Sequence, residues 1–302
     1  MIYPCIKCYK YSDDILEISI GDYHIKERIC KHCKNDMTQD IEKLIMDWTL
    51  QFYNEEIIHK IHSKYNKIYV TENADLRFMR FFTALQSGLY KDSQETPAYY
   101  LYSFLFGPII LNRQIKNILC VGLGSGYLAK LFRRFHQNCN IDIVEIDEEV
   151  YSVSQKYFAF KADDKMNIYI MDAVNYFKEC PNEQYDLVIL DAYDGPKIPD
   201  HINQINVYKN IKRMLKPDGL LLSNLFGRVE GEASQEIKQT VKKLSNVFAQ
   251  NVLIPSSNDW EINILSISGD NFSTDMLHSN KLSANKELYP LLDRWAHNKI
   301  YS

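Results

Sequence analysis

Ile118-Leu119-Cys120-Val121-Gly122-Leu123-Gly124-Ser125-Gly126 is the stretch on which the fold of this 302-residue chain turns. Four apolar residues in a row read as a buried strand. Three glycines within five positions read as a tight turn. Beyond them Leu128, Leu131, Phe132 and Phe135 recur at helical spacing and read as the buried face of a helix. Strand, glycine turn and helix in that order form the first βα unit of a Rossmann-like sheet. Glycine lets the backbone approach a ligand closely, and a helix N-terminus favours polar or anionic groups. Alone, the GxGxG pattern fits a nucleoside site, a nicotinamide dinucleotide site or a purely structural turn.

The following strands narrow that choice. Ile141 to Ile146 reads as the second strand and carries Glu145, 19 residues beyond Gly126. That is the spacing at which a carboxylate accepts hydrogen bonds from ribose hydroxyls. Asp147, just before Glu148-Glu149, reads as a helix N-cap. The third strand, Ile168 to Met171, ends Met171-Asp172-Ala173, where Asp172 could accept from an adenine amine. The fourth, Leu187 to Leu190, runs into Asp191-Ala192-Tyr193-Asp194. A carboxylate there could deprotonate an incoming amine or neutralise a cation. Turn acids capping a helix are the structural alternative for Asp191 and Asp194, and a solvated strand-end acid is the alternative for Glu145. Acids at three successive strand ends nevertheless face the crevice where open α/β sheets bind ligands.

Downstream, Leu220-Leu221-Leu222 reads as a strand after the turn Lys216-Pro217-Asp218-Gly219, and Asn251–Ile254 with Ile262–Ile267 as a terminal antiparallel hairpin. Upstream, Ile68–Val70, Leu76–Phe81 and Leu85–Tyr90 have the short period of strands, and Pro97 to Phe106 suits a buried helix. From Gln39 to Lys60 the residues Ile41, Leu44, Ile45, Trp48 and Phe52 lie on one face of an amphipathic helix.

The N-terminus has a different texture. Cys5-x-x-Cys8 and Cys30-x-x-Cys33 are separated by 21 residues with β-like sequence, Ile15–Ile20 and Tyr23–Ile25, between them. Two such knuckles close a tetrahedral thiolate site, so these four cysteines are the expected ligands of a structural zinc in a zinc ribbon. Redox pairs are the alternative. The expected organisation is a zinc ribbon over 1–36, a linking helix over 37–66, a β-rich lead-in and helix over 67–106, and a Rossmann-like nucleoside-binding transferase domain over 107–302.

A composition of 46% hydrophobic and 25% charged residues suits a globular chain with a sizeable core. The net charge of -4 argues against bulk nucleic-acid binding, although the lysines around the CxxC pairs make that segment locally basic. No apolar run reaches the roughly 18 residues a membrane helix needs. No signal-peptide pattern opens the chain, so a cytoplasmic location is expected.

Taken together, Leu85-Gln86-Ser87, the glycine loop, Val144-Glu145-Ile146-Asp147, Met171-Asp172-Ala173, Leu190-Asp191-Ala192-Tyr193-Asp194 and Leu215-Lys216-Pro217-Asp218-Gly219 resemble the spermidine synthase (polyamine aminopropyltransferase) family, over about residues 67 to 270. The resemblance implies a Rossmann-like class I SAM-dependent transferase fold and transfer of an aminopropyl group from decarboxylated SAM to a small-molecule amine. It implies that Gly122, Gly124, Ser125, Gly126, Ala173 and Gln86 line the cofactor pocket, Glu145 holds the ribose diol and Asp172 lies near adenine. Asp191 is implied as the base and Asp194 as a residue holding the amine. It further implies that the β-rich lead-in is a surface for homo-oligomer formation. Two departures stand out. Family members that make spermidine carry an acid inside the glycine loop where this chain has Ser125. The usual acid-rich lead-in reads here Tyr90-Lys91-Asp92-Ser93-Gln94-Glu95, followed by Tyr99-Tyr100. Ser125 leaves ordinary SAM, and hence methyl transfer, as a second reading. A non-catalytic nucleoside-binding adaptor acting through the zinc ribbon is a third.

Overall fold

The computed structural model describes residues 3–4, 11–12, 16–20, 23–27, 38–193, 198–231, 234–255, 263–275 and 300–301. Two compact units divide the chain, Met1–Ser93 and Gln94–Ser302.

The first unit opens with β1 (Tyr3–Pro4) and β2 (Tyr11–Ser12), paired antiparallel, and with β3 (Leu16–Ile20) and β4 (Tyr23–Glu27), a second antiparallel pair. Helix α1 (Thr38–Tyr53) leads to a four-stranded meander, β5 (Glu56–His62), β6 (Lys67–Glu72), β7 (Leu76–Phe81) and β8 (Ala84–Tyr90), each antiparallel to the next. Ile68, Val70, Met79 and Leu89 are buried on one of its faces, and Tyr69 and Phe78 on the other. Buried within this unit, Arg80 grips Glu55 from Nη2 to Oε1 at 2.5 Å and from Nε to Oε2 at 2.8 Å, and Thr71 Oγ1 donates to Oε2 at 2.5 Å. The Arg80 guanidinium also lies over the Tyr53 ring at 5.0 Å. Removing one partner of such a pair strands a buried charge, which costs far more than an exposed pair contributes.

This unit corrects two sequence expectations. The helical period read as far as Lys60, yet α1 ends at Tyr53 and the rest is strand. Asn54 takes a left-handed φ of 52°, a common helix stop, and the β-branched run after it pairs with β6 instead. Nor are Trp48 and Phe52 the buried stripe of the helix. They are 48% and 65% exposed and stack on each other at 5.1 Å, while Met46 and Thr49 are buried among the described side chains of the helix.

The second unit begins with two short helices, α2 (Tyr100–Ser103) and α3 (Phe106–Leu111), where a single helix was expected. A regular alternation follows: β9 (Asn117–Val121), α4 (Tyr127–Phe135), β10 (Asn140–Glu145), α5 (Glu148–Tyr157), β11 (Met166–Ile170), α6 (Ala173–Glu179), β12 (Tyr185–Leu190), α7 (Ile205–Met214), β13 (Leu215–Phe226), α8 (Gln235–Ser245), β14 (Gln250–Pro255) and β15 (Asn263–Gly269). The seven strands lie in the order β11-β10-β9-β12-β13-β15-β14. Neighbours are parallel from β11 to β13, and β15 is antiparallel to both β13 and β14, as the terminal hairpin reading required. Every residue of β12 is buried, as expected of a central parallel strand covered by helices on both faces.

Lys216 to Gly219 is not a free turn ahead of β13. The strand already starts at Leu215, opposite Tyr185, and the register shifts before Leu187 meets Leu220. The irregularity lets Lys216 Nζ reach the fully buried Asp186 carboxylate at 2.9 Å. Arg113 and the backbone N–H groups of Lys116 and Asn117 also donate to Asp186, and these donors hold its pKa down to about 2 against the effect of burial. The cluster locks the amino end of the sheet, opposite the strand ends that carry the acids. Among the described residues no helix is long and apolar enough to cross a membrane.

Candidate active site

Strand β9 is in the middle of the sheet, and β10 and β12 on either side of it leave in opposite directions through the strand order. The carboxyl ends of these strands therefore border the topological switch point of an open α/β sheet. Four sequence-expected groups lie at the carboxyl ends of the parallel strands: the glycine turn, Glu145, Asp172 and Asp191. Gly122, Gly124 and Gly126 all have positive φ, at 95°, 52° and 76°. A Cβ on Gly122 would collide with the backbone carbonyl of Asp191, and one on Gly126 with the ring of Phe160, so glycine is required at both positions. Ser125 between the last two glycines is buried, with 1% exposure.

Glu145, the last residue of β10, is buried and joins two of the loops. Its Oε2 accepts from Leu123 N at 3.0 Å and its Oε1 from Asp147 N at 3.0 Å. Burial raises its pKa even though those two N–H groups favour the charged form. A carboxylate offers about four acceptor directions, and the backbone N–H groups of Leu123, Asp147 and Ile146 use part of them. Asp147 is the N-cap of α5, accepting from Glu149 N at 3.1 Å, as read from the sequence.

Asp172 caps α6 in the same way, with Oδ1 accepting from Val174 N at 2.8 Å, and Ala173 begins that helix. The other Asp172 oxygen lies 3.7 Å from Nε2 of His201, a neighbour the sequence reading did not anticipate.

Asp191 follows β12 directly, and its N–H donates to Val121 O at 3.0 Å, extending the β9–β12 ladder by one bond. Its Oδ1 accepts from Asn224 Nδ2 on β13 at 2.9 Å, while Tyr100 of α2 directs its hydroxyl at Oδ2 from 3.4 Å. Burial pushes its pKa up to about 6, with the two donors opposing the shift. A carboxylate with a pKa near neutrality can take and release a proton at physiological pH.

Asn224 was missed in the sequence. It is nevertheless visible there as a polar residue inside an otherwise leucine-rich buried strand, at the edge where the acids sit. Tyr193 was missed as well; its hydroxyl donates to the backbone carbonyl of Asn224 at 2.6 Å. Glu95, from the acidic lead-in stretch, accepts from Tyr102 at 3.0 Å, from Tyr127 and from Arg134 at 2.5 Å. These bonds tie the segment that presents Tyr100 to the helix that starts at the glycine loop. Gln86 is half-buried on β8 of the first unit. Asp194 and the four cysteines Cys5, Cys8, Cys30 and Cys33 lie outside the described residues. Among the described residues, no cluster of His, Cys, Asp or Glu could hold a metal ion.

The mixed sheet, the glycine turn at the switch point and the acids on successive strand ends define an α/β protein with the fold of the class I SAM-dependent transferases. Residues 107–276, more than half of the chain, match the spermine/spermidine synthase domain, and the chain belongs to that family. It is 30% identical over 177 residues to a polyamine aminopropyltransferase of Vibrio vulnificus, covering 56% of this chain and 59% of that protein. It is 33% identical over 145 residues to one from Clostridioides difficile, covering 47% and 51%. The chain thus spans little more than half the length of these two relatives. A crystal structure of a spermidine synthase in complex with the transition-state analogue AdoDATO superposes with a TM-score of 0.67 at 18% identity, over 80% of this chain and 85% of that one.

Proposed function

We propose that this chain transfers an aminopropyl group from decarboxylated SAM to a small-molecule amine. The observation that carries the reading is Asp191, a partly buried carboxylate beside the glycine turn with its pKa pushed up to about 6. An aliphatic amine with a pKa of roughly 10 arrives protonated and cannot attack until it loses a proton. Asp191 takes that proton. The nitrogen lone pair then forms a bond to the propyl carbon attached to the sulfonium. The carbon–sulfur bond breaks with its electron pair going to sulfur, and a neutral thioether leaves. Glu145 holds the ribose diol in this reading, Asp172 the adenine amine, and Gly122, Gly124, Ser125, Gly126 and Ala173 line the donor pocket. Asp194 holds the acceptor. The names of the relatives and the analogue bound in the structural neighbour support the same chemistry.

Ser125 favours a second reading. A loop without a carboxylate has no group to attract the amine of a decarboxylated donor, so ordinary SAM and methyl transfer fit it as well. Mass spectrometry of products formed from each donor with a panel of amines separates the two. A gain of one aminopropyl unit is expected, and a methyl gain would transfer the assignment to methyltransferase.

Cys5, Cys8, Cys30 and Cys33 form, on this proposal, a structural zinc site. The antiparallel β3–β4 pair between the two CxxC motifs supports a ribbon, and four thiolates are a complete tetrahedral donor set for this metal. One zinc per chain is expected by elemental analysis of the purified protein, and replacing Cys30 with serine abolishes it. Metal-free protein with unchanged thermal unfolding would remove the site.

A further inference from the structure

Asn224 makes two bonds that meet at the proposed base. Its side-chain amide donates to Asp191 Oδ1 at 2.9 Å, and its backbone carbonyl accepts the Tyr193 hydroxyl at 2.6 Å. The first bond comes from the neighbouring strand of a rigid parallel pair, in which Leu190 is opposite Ser223. The second ties the segment just after Asp191 back to the same residue. One Asp191 oxygen is thereby occupied by a strong donor, and among the described residues the other faces the long Tyr100 contact at 3.4 Å. The two oxygens of the carboxylate are not equivalent.

We propose that Asn224 is a positioning residue that clamps Asp191, occupying Oδ1 so that Oδ2 is the oxygen that receives the acceptor's proton. The inference rests on the aminopropyl-transfer reading. Asn224 itself touches neither substrate nor proton. It acts by fixing the rotation of the Asp191 carboxylate and by favouring its charged form, and Tyr193 fixes the loop on which the clamp closes. No cation recorded among the described residues bonds to Asp191. Among the described residues, the groups around it are Tyr100 from α2, Asn224 from β13, Tyr193 from its own loop, and the buried thiol of Cys120 in β9. Asn224 is thus the principal neutral donor holding the carboxylate ionised.

The test compares kcat/KM for the acceptor amine across pH in the wild type, Asn224→Leu, Tyr193→Phe and Asp191→Asn. Leucine matches asparagine in size and keeps the backbone carbonyl that Tyr193 uses. A hydrogen bond to a charged group of this kind is worth roughly a ten- to hundredfold factor, so Asn224→Leu should lose activity by that amount and move the acidic limb up by about one unit or more. Tyr193→Phe should move the limb in the same direction but less. A merely structural role for Asn224 would lower the rate at every pH and leave the limb in place, and that result would overturn the clamp. Carbon-13 NMR titration of the Asp191 carboxyl reads the same shift without turnover, and unchanged titration in both Asn224→Leu and Tyr193→Phe would also overturn it. Full activity in Asp191→Asn would instead sink the assignment of the base, leaving the NMR comparison to judge the clamp alone.

Discussion

The backbone carbonyl of Asp191 occupies the space that a Cβ on Gly122 would need. The glycine turn and the proposed base therefore cannot be separated: the first glycine of the loop is where it is because the fourth strand's end passes directly against it. Gly122 also sits at a φ of 95°, which a side chain would strain. Gly122→Ala is expected to destabilise the protein by about 3 kcal/mol through the combined strain and backbone collision, and to displace Asp191. Thermal unfolding checks the first effect, and residual turnover at a temperature where the variant remains folded checks the second.

Asp191→Asn should separate activity from stability. The folded-state pKa of Asp191 is raised from 3.8 to about 6, so its charge costs the folded protein stability as pH rises through that interval. Asparagine keeps an oxygen for the Asn224 amide and removes the charge. The variant is expected to lose at least a hundredfold in turnover while gaining on the order of 2 kcal/mol at pH 8, the partial exposure of the site having been discounted. Denaturant unfolding of the two proteins at pH 8 and pH 5 checks this, because the difference should shrink toward the lower pH.

Asp186 should behave in the opposite sense. Its pKa is depressed to about 2 by Lys216, Arg113 and two backbone N–H groups, so its contribution is fully present above the unfolded value of 3.8. It is lost as pH falls through about 2, amounting to about 2 kcal/mol of pH-dependent stability. Asp186→Ala, which leaves two cations and two N–H groups without their acceptor, is expected to cost about 3 kcal/mol or more at neutral pH. An unfolding midpoint indistinguishable from wild type would show that the cluster does not hold the amino end of the sheet.

If Glu145 holds the ribose as proposed, Glu145→Ala should weaken binding of the thioether product of the proposed transfer, 5′-deoxy-5′-methylthioadenosine, by at least tenfold, since the ribose hydroxyls lose their acceptor. Calorimetry on the folded variant measures this directly. Equal affinity would mean that Glu145 serves only the N–H groups of Leu123 and Asp147.

Much of the second unit could be read residue by residue. A run such as Ile118–Val121 before clustered glycines, and Asp147 before Glu148-Glu149, are signals carried by neighbours in the chain. Their outcomes, a strand into a positive-φ turn and an N-cap, are local as well. Glu145 and Asp191 fall at strand ends for the same reason. The failures involve choices between locally similar alternatives. The segment Glu56–His62 continues an apolar pattern compatible with helix, and pairing with β6 makes it a strand. Trp48 and Phe52 look like a core face, yet both are exposed while Met46 and Thr49 are buried.

What the sequence by itself determined is the alternation of strands and helices from Asn117 onward, the glycine turn and the acids at the strand ends, because hydrophobic period and backbone permissiveness act over a few neighbouring residues. Only the tertiary structure decided which groups those acids meet. Asn224 is 33 residues from Asp191 along the chain, and Glu55 is 25 from Arg80. Whether a carboxylate is a solvated strand-end acid, a buried ion-pair member or an acid with a pKa near 6 depends on burial and on donors brought in from other strands. No spacing within the chain encodes that.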